Sequence, residues 1–288
     1  MIAGIWSAVL TPADEGFGPD PSRAIPYYAE LLQRGCDGLN LLGTTGEAMS
    51  FSADQRLRFM EALASSGIAK DRMMAGTGAA SLGDAIRLTR AAFDCGFAAA
   101  LVMPPFFFRE ASDAGVIAFF DALIARTSPP CGRVLLYNFP RMSGIAFRPA
   151  LVDRLVAEFP GVIAGMKDSS NDAKLQAEVL ARHPNFAVFP GSESDLLEAL
   201  GRGVRGCISG SVALWPQLAQ AVLRDGDSAQ ARELTDRRAT LDGLPFIPAM
   251  RYLVARSLND PAWERAMPPQ RRLTADESGA LRSQRVCR

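Results

Sequence analysis

A closed (β/α)8 barrel of the TIM type, an α/β fold, with a C-terminal helical extension is the fold class that this sequence predicts. Three observations lead there. Eight short apolar runs alternate with longer stretches of helical spacing up to Leu214. Apolar runs separated by helices imply buried parallel strands, because parallel pairing needs a crossover connection. The length of 288 residues suits one such barrel, for which roughly 250 residues is common.

The strand candidates, in chain order, are Ile5–Leu10, Gly38–Leu42, Met73–Gly76, Ala98–Met103, Val134–Tyr137, Val162–Met166, Ala187–Phe189 and Gly206–Ser209. Between them, sets such as Ala24, Tyr27, Tyr28, Leu31 and Leu32, or Leu57, Met60 and Leu63, recur at helical spacing. Start signals fall where this reading needs them. Asp20-Pro21 offers a cap followed by a first-turn proline, and Ser52 to Gln55 and Ser81 to Asp84 resemble capping boxes. Beyond Leu214 the pattern is helical over 215–225, 228–242 and 248–258, and the stretch from Pro268 to Arg288 is polar, arginine-rich and expected to loosen at its end. The expected organisation is one structural unit: a barrel core over 1–214, then the last barrel helix and helical extension over 215–288.

Composition excludes several function classes. Lys+Arg and Asp+Glu are equal at 31, so no basic excess points to nucleic acid or an anionic membrane. No stretch reaches the roughly 18 apolar residues of a membrane span, and no signal-length apolar run precedes Pro12. Cys36, Cys95, Cys131, Cys207 and Cys287 lack the spacing of a disulfide framework or zinc site, so a reducing cytoplasm is the expected location. With His183 as the single histidine, and that at a helix end, a histidine-rich metal site and histidine triads are excluded. No metal or cofactor is expected. Gly76 to Ser81 half-resembles a dinucleotide fingerprint but lacks its third glycine.

Catalytic groups of an α/β barrel project from the C-terminal ends of strands. Lysine occurs only at 70, 167 and 174, while arginine is abundant. Arginine can replace a lysine needed only for charge, but not one whose free amine attacks a carbonyl. Lys167 directly follows the apolar run Val-Ile-Ala-Gly-Met and should enter the barrel mouth. An ordinary lysine, with a pKa of about 10.4, needs desolvation before it offers a neutral amine. The alternative is a strand-end lysine paired with a carboxylate such as Asp168. Lys174 has Glu178 four residues later, the spacing of a solvated helix pair, and Lys70 precedes the third strand. Tyr137 ends the neighbouring strand, where a phenol could shuttle a proton or simply fill the core. Gly43-Thr44-Thr45-Gly46 offers hydroxyls and backbone N–H groups to a carboxylate, or is a plain turn. The Gly/Ser loops after strands seven and eight could hold phosphate, carboxylate or sugar hydroxyls.

Taken together, Gly43-Thr-Thr-Gly-Glu47, Tyr137-Asn-Phe-Pro140 and Gly165-Met-Lys167-Asp resemble the dihydrodipicolinate synthase / N-acetylneuraminate lyase family, over nearly the whole chain. The resemblance implies that Lys167 is a Schiff-base lysine and Tyr137 the acid/base tyrosine. It implies that Thr44 and Thr45 bind the substrate carboxylate and join a proton relay, and that Gly43, Gly191 and Ile208 line the site. It also implies a 2-oxo acid such as pyruvate as partner and a homo-oligomer, dimer or tetramer.

Three departures separate this chain from family patterns. The loop after strand four carries Phe106-Phe107-Phe108 where the family offers a relay tyrosine. Met142 stands where the synthases place an arginine, with Arg141 one residue away. Ser192-Glu193-Ser194 replaces the tyrosine-rich signature of sialic acid lyases. The expectation is a lysine-dependent aldolase or lyase that makes or breaks a C–C bond of a 2-oxo acid, acting on a 2-keto-3-deoxy-sugar acid or 4-hydroxy-2-oxo acid. The alternatives are 4-hydroxy-tetrahydrodipicolinate (dihydrodipicolinate) synthase, a dehydratase or aromatic-pyruvate hydratase-aldolase of the same family, and a non-catalytic 2-oxo acid-binding regulator.

Overall fold

The computed structural model describes residues 2–282; Met1 and the last six residues, including Cys287, lie outside the described residues. Strands β1 (Gly4–Ala8), β2 (Gly38–Leu41), β3 (Met73–Gly76), β4 (Ala99–Val102), β5 (Val134–Asn138), β6 (Ile163–Asp168), β7 (Ala187–Pro190) and β8 (Gly206–Ser209) form one sheet, all neighbours parallel. Seven ladders join them in the order β7-β6-β5-β4-β3-β2-β1-β8. Strands β7 and β8 lie side by side without a ladder, so the barrel is nearly closed.

The crossover elements are α1 (Pro21–Gln33), α2 (Ala53–Ala64), α3 (Leu82–Asp94), α4 (Asp113–Thr127), the short α5 (Pro140–Ser143), α6 (Pro149–Glu158), α7 (Ala173–Arg182) and α8 (Leu196–Gly201), and α9 (Pro216–Asp225) follows β8 as the last barrel helix. The chain continues through α10 (Ser228–Ala239), α11 (Phe246–Leu258) and α12 (Ala275–Ala280). The start signals act as the sequence suggests. Asp20 caps α1, and Ser52 and Gln55 form a reciprocal capping box on α2. Ser81 caps α3 through the Asp84 N–H only, half of the expected box. The expected Lys174–Glu178 pair does not form, because Arg182, one turn on, reaches Glu178 at 2.7 Å and Asp153 at 2.8 Å. No helix among the described residues is long and apolar enough to cross a membrane.

Alternation along each strand sorts side chains to two cores. Outward residues such as Leu39, Leu41, Val134, Leu136 and Met166 pack under the helices. Inward residues, including Trp6, Met74, Leu101, Leu135, Tyr137, Phe189 and Ile208, fill the barrel. Trp6 plugs the N-terminal end, its indole N–H donating to the Ala3 carbonyl at 2.9 Å. It requires glycine at 38, because a Cβ there would lie 2.3 Å from the indole. A one-residue slip of any strand would exchange the two cores, so register is strongly specified.

Candidate active site

Strand β6 reads Ile-Ala-Gly-Met-Lys-Asp, and its last two residues point opposite ways. Asp168 turns outward and is fully buried. Its carboxylate accepts from Asn138 Nδ2 at 2.8 Å, Gln176 Nε2 at 2.8 Å, the Ser170 hydroxyl at 2.7 Å and the Ser170 N–H at 3.1 Å. Asn138 in turn accepts from the Phe147 N–H at 3.0 Å, tying the loop after β5 to the same anchor. This carboxylate is committed to those donors and does not pair with its neighbour.

Lys167 therefore turns inward without a carboxylate partner among the described residues. It is 4% exposed, and its Nζ lies 4.7 Å from the centre of the Tyr137 ring. Tyr137 and Lys167 are direct neighbours across the β5–β6 ladder, with Phe189 next on β7. The Tyr137 hydroxyl meets the Thr44 hydroxyl at 3.2 Å, which joins strand five to the turn after strand two.

That turn is tight. Leu42 and Glu47 both adopt left-handed backbone, with φ of 52° and 51°. The Glu47 N–H donates to the Thr44 carbonyl at 3.0 Å and the Ala48 N–H to the Gly43 carbonyl at 3.3 Å. Gly43 has no room for a side chain, since its Cβ would sit 2.7 Å from Asn40 Nδ2. Thr45 is buried beside Gly210, which follows β8. Ile208 shares the inner cluster with Tyr137 and Phe189. The Gly191 N–H donates to the Asp168 carbonyl at 2.7 Å, and a Cβ there would collide with Ser169. Thr44 thus meets Tyr137, which flanks Lys167; Ile208 belongs to the same inner cluster as Tyr137, Gly191 directly follows β7, and Thr45 lies in the turn after β2, beside Gly210.

The departures from the family pattern have distinct places. Phe106 packs against the inner cluster, whereas Phe107 and Phe108 are each 74% exposed and meet edge to face at 5.3 Å. Arg141 and Met142 are both exposed on α5.

Several buried polar groups have surroundings that the sequence did not signal. Glu47 and Arg251 form a fully buried ion pair. Among the described residues, neither oxygen of the Glu193 carboxylate has a hydrogen-bond partner, and neither does the Asn40 amide. Burial pushes the Cys207 thiol well above its usual range, with the charge of Glu193 and then that of Cys36 adding and Lys167 opposing. Desolvation drives the Arg56 guanidinium down to about 10, while it donates to the carbonyls of Gly76 and Gly78. No group of three or more His, Cys, Asp or Glu side chains among the described residues could hold a metal ion. A cavity of about 890 Å³ opens at the opposite, N-terminal end of the barrel, beside Trp6, Leu135 and Ala187. Its histidine and Arg182 are both held by Asp153, and it contains no lysine.

Comparison with known proteins fits this geometry. The model of the dihydrodipicolinate synthetase family matches residues 1–275. The chain is similar to a DapA-like lyase of Chloroflexus aurantiacus, 34% identical over 97% of this chain and 95% of the relative. It is also similar to a 4-hydroxy-tetrahydrodipicolinate synthase of Bacillus subtilis, 31% identical over 71% of this chain and 69% of the relative. Among solved structures, a dihydrodipicolinate synthase from Agrobacterium tumefaciens superposes with a TM-score of 0.90 at 29% identity, covering 97% of this chain and 98% of that one. The chain belongs to the dihydrodipicolinate synthetase family, and is an enzyme of its aldolase-type lyases.

Proposed function

We propose that this chain makes or breaks a C–C bond of a 2-oxo acid through a Schiff base on Lys167, with pyruvate as one partner. The observation that carries the reading is an enclosed lysine amine with no carboxylate partner among the described residues, beside a tyrosine whose hydroxyl reaches Thr44. Lys167 attacks the C2 carbonyl, and the resulting carbinolamine loses water to give an iminium ion. That cation accepts the electron pair of the C3–C4 bond as it breaks. Cleavage leaves an enamine of pyruvate and releases an aldehyde, once the C4 hydroxyl has given up its proton. Tyr137, relayed through Thr44, takes and returns that proton. Protonation at C3 and hydrolysis then release pyruvate and the amine. Gly43, Thr44 and Thr45 seat the carboxylate and so align the bond to be broken with the iminium π system. Thr45 also joins the relay, and Gly191 and Ile208 wall the pocket.

The preferred substrate is a 2-keto-3-deoxy-sugar acid or another 4-hydroxy-2-oxo acid. Phe106 lines the mouth without a hydroxyl, and Met142 offers no charge to a second carboxylate. The second reading, 4-hydroxy-tetrahydrodipicolinate synthase, has one observation in its favour. Relatives with that name match at 29 to 32% identity over most of this chain. The exposed Phe107–Phe108 pair suits a contact with a second copy, so a homo-oligomer, dimer or tetramer, belongs to this proposal. The four described cysteines are free, which fits a reducing cytoplasm.

The test is incubation with pyruvate and borohydride, followed by intact mass and peptide mapping. An adduct at Lys167 supports the chemistry. A protein that binds pyruvate without forming one is a regulator rather than an aldolase. Release of pyruvate from a panel of 4-hydroxy-2-oxo acids identifies the substrate, while robust turnover of aspartate semialdehyde with pyruvate favours the synthase.

A further inference from the structure

The buried pair Glu47–Arg251 lies next to the reacting groups without touching them. We infer that Arg251 is a positioning residue for the turn Gly43–Gly46, which makes the helical extension a working part of the active site. This rests on the reading of that turn as the seat of the substrate carboxylate.

Arg251 sits on α11, 204 residues along the chain from Glu47, and both side chains are almost fully enclosed, 1% and 2% exposed. Its Nε donates to Glu47 Oε2 at 2.7 Å, and a terminal nitrogen reaches the same oxygen. The remaining donors go to the carbonyls of Thr11 at 2.9 Å and Trp263 at 3.2 Å. The other Glu47 oxygen accepts from the Met267 N–H at 3.3 Å. One guanidinium thereby fixes the loop after β1, the turn after β2 and the segment after α11 relative to one another.

Glu47 is the residue through which the turn could give way. Its left-handed backbone closes the turn through the Glu47 N–H to the Thr44 carbonyl, and a residue with a Cβ adopts that conformation only when something holds it there. The side-chain anchor supplies that hold. Gly46 packs close against the loop after β1, where a Cβ would lie 2.9 Å from the Thr11 hydroxyl and 3.0 Å from the Val9 carbonyl. The same extension touches the site a second time. Thr45 and the edge of Phe246, the first residue of α11, both press on Gly210. A buried ion pair is a weak source of net stability, since desolvation offsets much of its attraction. What it gives is a fixed geometry, and that of a guanidinium fork is one a lysine cannot reproduce.

The experiment compares two ketones, pyruvate and pyruvamide, trapped on Lys167 by borohydride in wild type, Arg251→Lys and Glu47→Gln. Both variants should need roughly tenfold more pyruvate for half-maximal trapping. Their maximal rate should change by less than about threefold, and pyruvamide, which has no carboxylate, should be trapped as in wild type. Parallel losses for both ketones, or no change for either, overturn the inference. If Arg251→Lys does not fold, Glu47→Gln decides, and failure of both to fold makes the pair a folding element and overturns it. Absence of an adduct in wild type sinks the Schiff-base reading alone. The clamp is then judged by calorimetric binding of the two ketones, with the same tenfold criterion for pyruvate against an unchanged pyruvamide.

Discussion

Replacing Asp168 by alanine removes the acceptor for four hydrogen bonds directly behind Lys167. Two of the donors, on Asn138 and Gln176, are buried and cannot turn to water. Orphaning a buried donor costs about 1–3 kcal/mol, so the pair costs roughly 2–6 kcal/mol. Ser170 is exposed, and its hydroxyl and N–H are resolvated at little cost. Relief from burying a charge returns part of this loss, leaving a net destabilisation of about 2–4 kcal/mol. A domain holds only about 5–15 kcal/mol in total. At about 2–4 °C per kcal/mol for a chain near this size, the midpoint should fall by roughly 4–16 °C. The assays are thermal unfolding for the midpoint and equilibrium unfolding in urea for the free energy, each followed by tryptophan emission and circular dichroism. Asp168→Asn keeps one acceptor and should lie between wild type and alanine. An alanine variant within about 0.5 kcal/mol of wild type would refute the anchoring argument, as would an asparagine variant worse than alanine.

Other perturbations probe separate links. Lys167→Arg keeps the charge but should abolish both the borohydride adduct and turnover while the protein stays folded, with activity read by pyruvate release. Tyr137→Phe removes the hydroxyl that meets Thr44, and kcat should fall by about 10²–10⁴ with the pyruvate adduct still detectable by mass. Gly38→Ala drives a methyl into the Trp6 ring, with an expected loss of about 1–3 kcal/mol in urea unfolding. Glu277, which closes the capping box of α12, is held down to about 2 by hydrogen bonding from Arg271 and then from the Thr274 N–H. A depressed carboxyl contributes order above its ordinary value of 4.5 and loses it as pH falls through about 2. Amide resonances of residues 275–280 should therefore disperse at neutral pH and collapse across that acid window.

The barrel was legible because its signal is repetitive: apolar runs of strand length, each followed by helical spacing. The two strands that carry the candidate chemistry run longer than their apolar runs suggest. Strand β5 ends at Asn138 and β6 at Asp168. Polar residues at a strand end read as loop, yet Asn138 and Asp168 pair across the ladder, and a hydrogen bond joins their side chains, 30 residues apart. Lys167 stood out through the scarcity of lysine, and Tyr137 by its place at the end of the neighbouring strand. Asp168, the alternative partner for Lys167, proved to be engaged on the opposite face. Glu47 was visible as the last residue of a motif, yet nothing near it in the chain indicates an arginine 204 positions away. Spacing rules describe neighbours along an element without ranking them: Lys174 and Arg182 both stand four residues from Glu178, and the forked side chain of Arg182 took that carboxylate.

The placement of the tryptophans has a practical consequence. All three indoles are buried: Trp6 inside the barrel floor, Trp215 in the outer core just before α9, and Trp263 edge-on to Tyr27 at 4.9 Å, with its carbonyl bound by Arg251. Native emission is therefore blue-shifted throughout, and each fluorophore reports a different layer of the molecule. Single-tryptophan variants would turn the chain into its own set of optical probes, able to time the loosening of the extension against the opening of the cylinder.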